Sequence, residues 1–116
     1  MKKIVILGTV FISVFLFSRC HTAKKAATGS EVKLTYETNL QTLVGANCSP
    51  CHFPTKGGNK KALESYDSVK NNIDDIIRRI ELNPTDRGFM PFKHPKLSDS
   101  TIAVFKKWRD DGMLDK

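Results

Sequence analysis

Cys48-Ser49-Pro50-Cys51-His52 constrains this chain more than any other stretch. Two thiols stand three positions apart, with an imidazole directly after the second, which is the C-x-x-C-H pattern of haem attachment. The spacing has a chemical reason. Each cysteine can add across one vinyl group of a haem, and a three-residue step suits the separation of the two vinyls on one porphyrin edge. Cys48 and Cys51 are therefore expected to form thioether bonds. His52 follows at once and is expected under the iron as its proximal ligand through Nε2. The other ring nitrogen, Nδ1–H, then needs an acceptor that fixes the tautomer, and a backbone carbonyl near Pro54 is the candidate.

Other uses of such a pair stay open at this level. Half a structural zinc site is one, but zinc takes four ligands, usually with a second pair of thiols. The remaining thiol, Cys20, lies in a different kind of sequence, and His94 stands alone. A redox dithiol of the thioredoxin kind belongs in a βαβ setting, and nothing here has the pattern of parallel strands. Asn47-Cys48-Ser49 matches a glycosylation sequon but overlaps the attachment site.

At 116 residues the chain has room for one domain. Its formal charge is +7, and setting aside Lys2, Lys3 and Arg19 leaves 16 basic against 12 acidic residues, or +4. That balance does not point to nucleic acid. So small a domain buries a thin core and often needs a staple, and a covalently held haem would supply one.

Lys2 and Lys3 precede an uncharged apolar run of 14 residues from Ile4 to Phe17. The run is short for a membrane span, which takes about 20 residues, and fits a signal peptide over 1–19. Export suits a thioether-bound haem. The run ends in Leu16-Phe17-Ser18-Arg19-Cys20, which resembles the lipobox of bacterial lipoproteins, with Arg19 where Gly, Ala or Ser is usual. Cys20 is accordingly expected to be lipidated, giving a chain of 97 residues held at the periplasmic side of a bacterial membrane. Ordinary signal cleavage would instead leave a soluble periplasmic protein, and an uncleaved leader would itself remain as the anchor. The stretch 20–34 is rich in Ala, Lys, Thr, Gly and Ser and is expected to serve as a flexible tether.

The domain proper is expected over 35–116. Tyr36, Leu40, Leu43 and Val44 fall on one helical face, which Gly45 is expected to close. Lys56 to Lys61 is turn-rich, and Gly57-Gly58 suits either a close backbone approach or a plain surface loop. Leu63, Tyr66 and Val69 mark a short helical piece. A helix from about Asn72 to Glu81 carries Ile73, Ile76, Ile77 and Ile80 inward, with Asn71 or Asn72 as its cap and Asn83-Pro84 as its end. The stretch 85–96 has no helical pattern. Ser98 is the expected cap of a last helix that runs to about Asp111, with Ile102, Phe105 and Trp108 inward and Gly112 just past its end. The tail from Met113 is expected to fray.

The sixth position of the iron has few candidates. With Met1 lost alongside the leader, Met90 and Met113 are the remaining thioethers, and Met113 stands beyond the last helix. Met90 precedes Pro91, which biases it toward an extended backbone and off any helix. His94 is its competitor, and a plain core-filling role for Met90 is the third possibility.

The order of helix, CSPCH, short helices, a Met90-Pro91 loop and a last helix ending in Trp108 and Gly112 resembles a class I c-type cytochrome, over about Tyr36 to Leu114. The resemblance implies an all-α, cytochrome c-like fold of three to five helices wrapped around one haem c. It implies first and last helices that cross, with Tyr36 and Leu40 near Phe105 and Trp108. It also implies Cys48 and Cys51 as thioether sites, His52 as proximal ligand and Met90 as distal ligand. The function expected is single-electron transfer between redox partner proteins, with no catalytic residues. Lys56, Lys60, Lys61, Lys93 and Lys96 are candidates for a basic rim that steers acidic partners. The alternative is a haem enzyme or gas-binding domain with an open or labile sixth position, for which only His94 and Arg87 offer polar groups.

Overall fold

The computed structural model describes residues 31–116, so the leader, Cys20 and the tether as far as residue 30 lie outside the described residues. Helix α1 opens with a π-wound turn, Tyr36–Leu40, and continues as an α-helix over Gln41–Cys48. Thr35 caps it from an extended backbone, its hydroxyl accepting from the Thr38 N–H, while Asn39 Oδ1 accepts from the Thr35 N–H at 2.9 Å. Tyr36, Leu40 and Val44 are buried. Gly45 does not close this helix. The chain passes through it to Cys48, and Ser49 turns extended because Pro50 follows. The stop signal was the proline, not the glycine.

A 3₁₀ turn, Pro54–Lys56, leads to α2, Tyr66–Lys70, and α3, Ile73–Glu81. Ser65 and Ser68 form a reciprocal capping box that starts α2. Asn72 occupies the N-cap position of α3 but does not cap it. Its amide donates instead to the Ser68 carbonyl at 2.7 Å and accepts from Lys61 Nζ at 2.7 Å. Helix α4 spans Asp99–Asp110, with Ser98 as cap through the Thr101 N–H and Gly112 in the left-handed conformation past its end.

The core gathers the buried faces of all four helices. Ile73, Ile76, Ile77 and Ile80 of α3 meet Ile102, Phe105 and Trp108 of α4 and the Tyr36–Leu40–Val44 face of α1. Tyr36, Tyr66 and Trp108 form an aromatic trio with ring centroids 5.7–6.3 Å apart. Trp108 is completely buried.

The tail is not frayed. Tyr36 and Glu37 at the start of α1 donate their N–H groups to the carbonyls of Leu114 (2.8 Å) and Asp115 (3.0 Å). Trp108 Nε1 donates to the Leu114 carbonyl at 2.8 Å, and Tyr66 Oη donates to that of Met113 at 2.9 Å. A helix start leaves orphan N–H donors, and here the last residues of the chain satisfy them. Asp111 adds to the clasp, its carboxylate accepting from the Leu34 N–H at 2.7 Å.

Candidate functional site

Cys48 is the last residue of α1 and is half-buried at the edge of the core, whereas Cys51 stands exposed in the following turn. Both are free thiols. Burial pushes the Cys48 thiol up to about 11, so it stays protonated at neutral pH. The turn itself is tightly wound. His52 N–H donates to the Cys48 carbonyl, Phe53 N–H to Pro50, Lys60 N–H to Cys51 and Leu63 N–H to His52, all at 2.9–3.0 Å.

Those bonds set the ring of His52. Its Nδ1 lies 2.6 Å from the backbone carbonyl of Lys61. A carbonyl can only accept, so Nδ1 is the donor in this bond, and in the neutral ring Nε2 is then the nitrogen left for a metal. The acceptor is a backbone carbonyl, as expected, but comes from Lys61 and not from the neighbourhood of Pro54. Residues 57–63 fold back across the motif and deliver it. Gly57 makes the turn with φ +82°, and Gly58 lies so close that a Cβ there would collide with the Pro50 carbonyl and come within 2.6 Å of that of Cys51. The glycine pair thus serves a close approach. Lys61 is fixed in turn by its ammonium on Asn72.

Met90 sits in the helix-free stretch after α3, half-buried against the same apolar cluster that Cys48 and Phe53 touch. The C-terminal end of α3 holds this loop at two backbone carbonyls. Its last carbonyls have no helical partner. That of Arg79 accepts the Met90 N–H at 3.2 Å, and that of Glu81 accepts from Lys96 Nζ at 2.7 Å. Phe89, beside Met90, is buried. His94, the competing ligand, is exposed and lines a pocket of about 420 Å³ with Arg87, Phe89 and Phe92. The core-facing side chain of the pair is Met90.

The five lysines are exposed but differ in their engagements. Lys61 and Lys96 are committed to the hydrogen bonds just described, Lys56 lies over the Phe53 ring at 5.1 Å, and Lys93 lies over Phe92 at 5.3 Å. Phe92 itself is 67% exposed. A further pocket of about 730 Å³ runs along α4 between Glu81 and Lys107, away from the motif. Among the described residues, no three His, Cys, Asp or Glu side chains gather in a group that could hold a metal ion, and no helix is long and apolar enough to cross a membrane.

Comparison with protein-family models, curated proteins and solved structures gave no match. The donor set that a haem would use is present by residue type: two thiols without a disulfide three positions apart, an imidazole whose Nδ1 is engaged by a carbonyl, and a thioether half-buried on the same core.

Proposed function

We propose that the chain is an exported monohaem c-type cytochrome that carries single electrons between redox partner proteins. Cys48 and Cys51 hold haem c by thioether bonds, His52 is the proximal ligand and Met90 the distal one. The observation that carries this is the hydrogen bond from His52 Nδ1–H to the Lys61 carbonyl, which leaves Nε2 free in a turn bearing two unpaired thiols. Bound there, the haem supplies a one-electron iron couple, and His/Met ligation raises its potential.

The chain's own part is to hold both ligands still. The Lys61 carbonyl fixes the tautomer and plane of His52, and the end of α3 fixes the backbone of Met90. With both His52 and Met90 as ligands the iron would have no open position for substrate, which favours a carrier over an enzyme. Lys56, Lys60 and Lys93 offer exposed positive charge around these two loops for acidic partners. The leader places the domain outside the cytoplasm, with Cys20 as a lipid anchor on a bacterial membrane.

The distal assignment separates the carrier from the enzyme. The oxidised protein should show the weak far-red absorption of a sulfur–iron bond. Met90→Ala should abolish that band, lower the potential and let carbon monoxide bind the reduced iron, whereas His94→Ala should do none of these. Ready carbon monoxide binding by the unaltered protein would favour the enzyme or gas-binding alternative.

A further inference from the structure

Arg79 touches the Met90 loop with both its side chain and its backbone. Its Nη1 donates to the Gly88 carbonyl at 3.2 Å, two residues before Met90, while its own carbonyl accepts the Met90 N–H. The guanidinium is braced from the other side by Asp75, which takes Nε at 2.7 Å one helical turn earlier. Gly88 is matched to this grip. It has φ +95°, and a Cβ there would lie 3.2 Å from Arg79 Nη1. Arg78 is the natural counterpart: it also pairs with Asp75, at 2.5 Å, but no hydrogen bond joins it to the loop.

We infer that Arg79 is the positioning residue for the distal ligand: braced by Asp75, it clamps the loop across Gly88 and Met90 and so keeps the Met90 sulfur on the iron. This rests on Met90 being the distal ligand. Arginine suits the task because its planar fork serves Asp75 and Gly88 at once, which a lysine ammonium on a flexible stem does less well. Supporting groups of this kind typically change metal-site affinities by 10–100-fold when removed.

The test uses the haem-loaded protein and its Arg79→Gln, Arg79→Lys and Arg78→Gln variants. Two measurements are made: imidazole affinity of the oxidised iron, and hydrogen-exchange protection of the Met90 amide. In Arg79→Gln, imidazole should bind about tenfold more tightly, and the Met90 amide should lose protection. Arg79→Lys should fall between, and Arg78→Gln, which makes the same charge change, should match the unaltered protein. If Arg79→Gln behaves like Arg78→Gln in both measurements, the clamp is refuted. Met90→Ala separates the underlying assignment. If it leaves imidazole affinity and the far-red band unchanged while Arg79→Gln still exposes the Met90 amide, the loop is clamped but Met90 is not the ligand, and the inference fails at the iron.

Discussion

The turn that presents His52 is closed by its own backbone, whereas the loop that presents Met90 is hung from a neighbouring helix. Around His52, peptide groups between Cys48 and Leu63 bond to one another and a main-chain carbonyl holds the imidazole, while the Lys61 ammonium on Asn72 adds a charged tie to the same turn. Around Met90, the ties that reach the rest of the molecule run to the end of α3, and two of them need a charged side chain, Arg79 and Lys96. Backbone closure is indifferent to charge and salt, and ties made by half-exposed ionic groups are not. The His52 turn is therefore the fixed one, and the Met90 loop is the one that conditions and substitutions can tune.

The largest effect should fall on neither loop. Trp108 is completely buried in the core against which Phe53 and Met90 pack and anchors the tail through the Leu114 carbonyl, and truncating such a residue costs about 3–5 kcal/mol. Trp108→Ala should lower the melting temperature strongly while the fraction still folded keeps an unchanged visible spectrum. A changed spectrum at full folding would mean that the core, not the loops, sets the ligation.

Gly58→Ala should come next and strike the fixed side. The new Cβ meets main-chain atoms of Pro50 and Cys51, which have little room to yield, and such overpacking costs about 1–3 kcal/mol. Thermal melts should show the loss, and exchange protection of the Leu63 amide should fall while that of Met90 holds. Equal loss at both amides would break the distinction between the loops.

The smallest effect is acid sensitivity of the Met90 loop alone. Hydrogen bonds from Arg79, and then Arg78, hold the Asp75 carboxyl below the usual carboxylate range. Its contribution is thus complete above the ordinary carboxylate pKa and is lost as pH falls through the lowered folded value. Asp75 is 45% exposed, so the effect is small and weakens with salt. Protection factors of the Met90 amide should decline in that acid window, and those of Leu63 should not. Parallel decline would contradict the account.

The helices were legible because their apolar faces repeat with helical period: Ile73, Ile76, Ile77 and Ile80 in α3, and Ile102, Phe105 and Trp108 in α4. Ser98 marked the start of α4 by its hydroxyl, and Gly112 marked its end by the left-handed backbone that a residue without Cβ adopts freely. What stayed hidden was made by groups that every residue owns. Nothing in the identity of Lys61 announces that its carbonyl will meet His52, nor in Leu114 and Asp115 that theirs will cap α1. Gly45 and Asn72 misled for a related reason, since each has a strong local preference that its surroundings overrode. Nothing in the position of Arg79 on α3 announces its contact, and only the fold brings Gly88 to it.

The most direct measurement is the visible spectrum and intact mass of the exported protein, taken oxidised and reduced. One haem should survive denaturation on the polypeptide, attached at Cys48 and Cys51, with a low-spin spectrum in both states, as the proposed function requires. A colourless protein with both thiols free, or one whose CSPCH turn carries zinc, would contradict it.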